Sequence, residues 1–225
     1  MKKSSLLILL SVMFSLTHCA TFKSDMIGKY DKNSEKNFRA KPVSLLMIFS
    51  HYRQTTGLDA IPKLDDQRQR IGGFDDFLVD ALNELSNIKR YSTYTEYASD
   101  VNDPSRRTQK DSLMRQHDYI MKMKFMRKKS FTKNFLGTLI SSTSLTLFPI
   151  AYTYKYSLDA ELYDSKGQLL KTYSRNASLT KWVQTLLIVV YPFHPEQRKK
   201  EELYVEFLHD VFKQIEQEKI LQKIK

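Results

Sequence analysis

Cysteine occurs once in these 225 residues, at Cys19, so no disulfide can close within the chain and no cysteine cluster can hold a metal. No His-x-x-x-His frame places two imidazoles on one turn of a helix, so no zinc-type centre is written here either. A lone histidine such as His209 therefore reads as a surface or hydrogen-bonded residue. The run Ser141-Ser142-Thr143-Ser144 has no Gly-x-Ser-x-Gly elbow and no paired base, which removes the usual serine nucleophile. Gly72-Gly73 precedes a helical pattern, but the third glycine or Lys-Ser/Thr of a phosphate loop is missing, and a turn explains the pair. Asp65-Asp66 and Asp75-Asp76 are chain neighbours, which seldom converge on one substrate atom; they read as a loop pair and a helix start. No catalysis, cofactor or metal is expected.

What is present is positive charge and uncharged apolar sequence. The formal net charge is +11, and a basic surface favours anionic partners such as lipid headgroups or anionic glycans. The densest basic run is Arg127-Lys128-Lys129, with Lys122, Lys124 and Lys133 close by. Hydrophobic residues make up 41%, ordinary for a globular chain, so wholesale disorder is not expected.

The amino terminus carries an address. Met1-Lys2-Lys3 is a short positive region, and Leu6 to Leu16 is an apolar run of secretory length, too short to span a bilayer comfortably. It ends in Leu16-Thr17-His18-Cys19. This resembles the lipobox of bacterial lipoproteins, with His18 where a small residue is usual, a loose form typical of spirochaete lipoproteins. The resemblance implies diacylglycerylation of the Cys19 thiol, cleavage of residues 1–18 as a signal peptide, and acylation of the new amino terminus at Cys19. Without that leader the chain has 34 basic against 25 acidic residues. Ala20-Thr21 lacks the aspartate that retains many such lipoproteins in the inner membrane, which implies the outer membrane. From 19 to 42 the composition is polar, interrupted by Phe22, Met26-Ile27 and Phe38, and a flexible tether is expected.

The folded part is expected over 43–225 as a single α+β domain. Its spine is a hairpin from Thr153 to Tyr173. Leu158, Ala160 and Leu162 alternate with Asp159, Glu161 and Tyr163, the period of a strand with one buried face. Asp164-Ser165-Lys166-Gly167 suits a type I turn closed by a left-handed glycine. Val43 to Phe49 is an unbroken apolar run, as in a central strand, and a polar stretch from Arg53 to Arg70 follows it. Phe74, Phe77, Leu78, Ala81, Leu82 and Leu85 fall at helical spacing, with Asp75 and Asp76 in the first turn. Arg90 to Tyr94 is a short strand. Asp103-Pro104 caps a helix to about Gln116. Tyr119, Met121, Met123 and Phe125 alternate with a mostly basic set. His194-Pro195 opens a long terminal helix whose buried stripe is Tyr204, Phe207, Leu208, Val211, Phe212 and Ile215.

The expected fold is therefore α+β: a mixed sheet with a long C-terminal β-hairpin, helices packed on it and a long helix at the end. In its order of elements this is similar to envelope lipoproteins of the curli-secretion and penicillin-binding-protein-activator kind, which share an α/β core. Asn134 to Tyr154 and Val183 to His194 contain no Asp, Glu, Lys or Arg. They read either as core arms of the hairpin or as a membrane or partner contact. In the second reading Trp182, Leu187, Val189 and Tyr191 touch the interface beside Arg127, Lys128 and Lys129. The function expected is that of a lipid-anchored envelope protein, with the membrane and an unidentified envelope protein as partners and no nucleic acid. Two alternatives stand beside it: a membrane-inserting oligomer that uses the apolar arms, and an envelope glycan hydrolase.

Overall fold

The computed structural model describes residues 19–32, 35–56, 62–66, 74–130, 150–183 and 196–222. They form a seven-stranded mixed sheet with helices on both faces, the α+β class that the pattern predicts. In chain order the elements are β1 (Cys19–Lys23), β2 (Val43–Thr56), β3 (Pro62–Asp66), α1 (Phe74–Leu82), β4 (Ile88–Thr95), α2 (Pro104–Arg115), β5 (Tyr119–Ser130), β6 (Ile150–Asp164), β7 (Leu169–Val183) and α3 (Glu196–Glu218).

The sheet is built outward from β2. Its apolar first half is buried on both faces, Leu45 to Phe49 being almost fully covered, as a central strand requires. β5 pairs parallel to β2 on one side, from Leu45↔Tyr119 to Thr56↔Ser130. On the other side β4 runs parallel to the first half of β2, and β3 runs antiparallel to the second half. Beyond β5 come β6, β7 and β1, each antiparallel to its neighbour.

One face is fully roofed. The stripe Leu203, Tyr204, Phe207, Leu208, Val211, Phe212 and Ile215 of α3, with Leu78, Ala81 and Leu82 of α1, packs on Met47, Phe49, Met121, Met123, Leu158, Ala160 and Leu162. The opposite face is covered only where α2 sets Leu113 and Met114 against Leu46, Ile48, Tyr94 and Ile120. Asp103 caps α2 as the sequence predicts: its carboxylate accepts from the Ser105 and Arg106 amides at 2.9 and 3.3 Å. The hairpin turn also forms as expected. Gly167 has φ +79°, and its amide donates to the Asp164 carbonyl at 3.0 Å.

Two expectations need correction. The stretch from Arg53 to Arg70 is not simply polar connection, because β2 continues to Thr56 and folds back through β3. Residues 19–42 carry more structure than a flexible tether. β1 pairs with β7 along the sheet edge, and Ile27 and Asn176 exchange both backbone hydrogen bonds at 2.7 and 3.1 Å. Farther on, the Tyr30 amide donates to Asp210 at 2.9 Å and the Asn37 amide to Glu216 at 3.2 Å. An edge strand is held by its backbone, so its side chains can remain polar.

Asp210 joins three elements. On α3, it receives the Tyr30 amide from the amino-terminal segment and the Nε–H of Arg175 from β7. Arg175 is 3% exposed and Asp210 7%, so removing either partner strands a buried charge. Asp210→Ala is expected to cost about 3–5 kcal/mol, read as a lower urea midpoint. The apolar double variant Arg175→Met/Asp210→Leu is expected to recover most of the loss. A second comparison separates two glycines. Gly167→Ala meets nothing within 4 Å, so it carries only the left-handed penalty of about 1–2 kcal/mol. Gly28→Ala, at φ +85°, also sets its Cβ 2.7 Å from the Ser174 carbonyl oxygen. It should destabilise the protein more than Gly167→Ala does in the same denaturation experiment.

Candidate functional site at the Cys19 end of the sheet

The backbone of Cys19 lies opposite Val183, at the start of β1 and the end of β7. The same end of the sheet holds the start of β6 at Ile150, the end of β5 at Ser130 and the end of β2 at Thr56. Both uncharged stretches therefore join the sheet here, between Ser130 and Ile150 and after Val183. Leu187, Val189 and Tyr191 lie outside the described residues, as do Ser141 to Ser144 and Gly72-Gly73. Trp182 is described and is 37% exposed, and Phe22, diagonal to it across β1 and β7, is 41% exposed.

Strand alternation divides the basic run that looks continuous in sequence. Arg127 points beneath α3, with its guanidinium carbon 4.3 Å from the Tyr154 ring and 5.9 Å from the Tyr156 ring. Lys128 faces the open side, exposed and directly opposite the equally exposed Lys155. Lys129 returns to the first face and is half-buried. These residues therefore make two basic surfaces.

The open face continues the pattern. Lys122 sits 4.6 Å over the Tyr163 ring and Lys124 5.1 Å over the Tyr52 ring. Their cross-strand neighbours are Glu161 and Asp159. Glu161 accepts from the Tyr163 hydroxyl, and Asp159 from the Ser174 hydroxyl at 2.7 Å. The Lys128–Lys155 pair, by contrast, is flanked by neutral Gln54 and Ser178.

Beneath α3 the aromatic residues close up. Tyr204 lies 4.8 Å from Phe125 and 6.2 Å from Tyr156, and His51 stacks on Phe125 at 5.0 Å. Burial pushes the Tyr156 hydroxyl up to about 12. Burial first, and the nearby Arg127 charge second, hold the Lys200 ammonium below the usual lysine range. Glu196 answers part of this charge, 2.9 Å from Lys181 and 3.8 Å from Arg127. Arg53, Lys155, Tyr156, Glu196 and Lys200 were not singled out in the sequence, because only strand register and the docking of α3 bring them together.

A second concavity, about 700 Å³, lies between residues 23–31 and α3. Its charges are largely spent on one another. Lys23 pairs with Glu206, Lys29 with Asp31 at 3.4 Å, and Asp210 with Arg175. Glu206 and His209 stand in a Glu-x-x-His spacing, but they take separate partners. His209 reaches Glu84 at 3.0 Å and Asp80 at 3.2 Å, a hydrogen-bonded histidine as expected for a lone one. Among the described residues no group of three or more His, Cys, Asp or Glu side chains could hold a metal. No helix among them is long and apolar enough to cross a membrane.

No family model matches the sequence, and no curated protein matches it. Among solved structures, the PelC dodecamer from Paraburkholderia phytofirmans is 9% identical, with 74% of this chain and 83% of that chain covered, at a TM-score of 0.26. A point variant of that dodecamer is 7% identical, with 74% and 84% covered, at 0.24. Superpositions this loose establish neither a shared fold nor a shared function.

Like charges directly opposite on neighbouring strands destabilise a sheet. Lys128→Glu is therefore expected to raise stability by about 0.2–1 kcal/mol, measured by urea unfolding at low salt. The gain should shrink as ionic strength rises.

Proposed function

We propose that this chain is a lipid-anchored protein of the cell envelope, at the outer membrane, that acts by binding. It serves there as a scaffold or assembly accessory for an envelope partner. The observation that carries this reading is the sole cysteine, set directly after a positive region and an apolar run in a lipobox-like frame. Several acyl chains would anchor the protein stably where one would not. The position of Cys19 in β1 supports the reading, since lipid at that residue would hold Trp182 and Phe22 close to the bilayer, on the same open face as the Lys128–Lys155 pair. Basic side chains attract anionic headgroups, and a tryptophan at the rim suits the interfacial zone. No catalytic step is assigned.

In cells fed a clickable fatty acid, the native chain should incorporate label and fractionate with membranes. Cys19→Ala should abolish labelling, whereas globomycin, which blocks cleavage after the thiol is acylated, should leave a labelled chain heavier by its uncut leader. Labelling that persists in Cys19→Ala sinks the anchoring proposal.

A further inference from the structure

Beneath the first turns of α3, one row of the sheet gathers three donor side chains. Arg53 on β2 is the Cα partner of Arg127 on β5, and Arg127 is the partner of Tyr156 on β6. Arg53 Nε, Arg127 Nε and Tyr156 Oη are buried and have no hydrogen-bond partner among the described residues. Tyr156 is only 2% exposed. Both arginine side chains nevertheless keep contact with solvent, being 42% and 22% exposed. Lys200 on α3 adds a third cation within electrostatic range of Arg127. Three acidic groups also face this corner. Asp65 lies 3.3 Å from Arg53, Glu196 lies 3.8 Å from Arg127 and 2.9 Å from Lys181, and Glu201 acts on Lys200. At 3.8 Å the Glu196 contact is longer than a hydrogen bond, so the fork of Arg127 is not filled by it. Stacking on Tyr154 at 4.3 Å holds the plane of that fork.

Asp65 answers Arg53 at 3.3 Å while Glu196 only approaches Arg127 at 3.8 Å, so the two arginines on paired positions share incomplete counter-charge and a further anion between them relieves their repulsion. Forked arginine donors match the oxygens of a phosphate, and the tyrosine hydroxyl and the ammonium supply donors from other directions. We infer that this corner is a binding site for a phosphate ester, held by Arg53 and Arg127 through their guanidinium groups, by Tyr156 through its hydroxyl and by Lys200 through its charge. A lipid headgroup and a soluble phosphate ester both carry this chemistry. The site goes beyond the anchoring proposal and does not need it, because a soluble ester would bind whether or not Cys19 is acylated.

The test uses the full chain in neutral detergent micelles. Calorimetric titration with inorganic phosphate and glycerol phosphate forms one arm. Flotation with vesicles of phosphatidylglycerol, against pure phosphatidylcholine, forms the other. Arg53→Gln and Arg127→Gln should each weaken binding about tenfold or more, and Tyr156→Phe should weaken it less. Glu196→Gln should tighten it, because a competing carboxylate is lost while the side chain can still accept from Lys181. Lys166→Ala, in the exposed hairpin turn at the far end of the sheet, should leave the phosphate titration unchanged. If Arg127→Gln fails to fold, Tyr156→Phe and Glu196→Gln decide the matter, their melting curves first being shown to match the parent. Saturable binding in the first arm assigns a soluble ester; binding confined to anionic vesicles, with the same variant pattern, assigns a headgroup. No saturable binding in either arm, or binding indifferent to Arg53, Tyr156 and Glu196, overturns the site.

Discussion

The parallel register between β2 and β5 decides on which face of the sheet the charges of these two strands lie. It runs without a break from Leu45↔Tyr119 to Thr56↔Ser130, and β6 extends it on the far side of β5. Under α3 the successive rows are Met47–Met121–Leu162, Phe49–Met123–Ala160, His51–Phe125–Leu158 and Arg53–Arg127–Tyr156. The rows pass from wholly apolar to cationic within a few residues. A slip of one residue would turn Lys122 and Lys124 into the core and expose Met121 and Met123. Burial of the α3 stripe on the first three rows forbids that slip, and in doing so it fixes the arginine row level with Ala177 of β7.

The amino-terminal segment is fixed by polar latches along the back of α3. Asp210 takes the Tyr30 amide with both oxygens, at 2.9 and 3.1 Å, while holding Arg175. Two turns on, Glu216 accepts from the Asn37 amide at 3.2 Å and from the Ser86 amide at 3.2 Å. Buried carboxylates of this kind are weak evidence of net stability, since desolvating them opposes the attraction they gain. Their clear consequence is positional. Each collects donors from segments far apart in sequence, so the chain at Tyr30 and at Asn37 is tied to the helix that also roofs the sheet.

Where a signal was local, it could be read from sequence. The α3 stripe, the Asp103-Pro104 cap and the Asp164–Gly167 turn each rest on side chains within a few positions of one another. β1 and β3 could not be read in the same way. An edge strand needs one partner backbone, and the partner of β1 lies about 160 residues away, in β7, so its polar composition looked like a linker. The basic run was misleading for a related reason. Arg127, Lys128 and Lys129 are adjacent in the chain, yet alternation sends Arg127 under α3 and Lys128 to the open face. The row of Arg53, Arg127 and Tyr156 draws one residue from each of three strands, and no spacing rule joins them before the register is known.

Pairing of β1 also changes what an anchor at Cys19 would do. Were residues 19–42 a free coil, the domain could stand about 25–30 Å from its lipid. Attraction between exposed lysines and anionic headgroups fades over a Debye length of about 8–10 Å at physiological salt, so a domain on such a leash would seldom feel it. With Cys19 opposite Val183 and Ala20 opposite Trp182, that leash is absent, and the Cys19 end of the sheet cannot move far from an acylated terminus. On the anchoring proposed here, Trp182 and Phe22 are then held near the surface, while the Lys128–Lys155 pair, five residues farther along the strands at about 3.3 Å each, comes within screening range only when the open face turns toward the bilayer. The lipid supplies proximity, the edge strand converts proximity into orientation, and only after both do the surface charges have an energetic role.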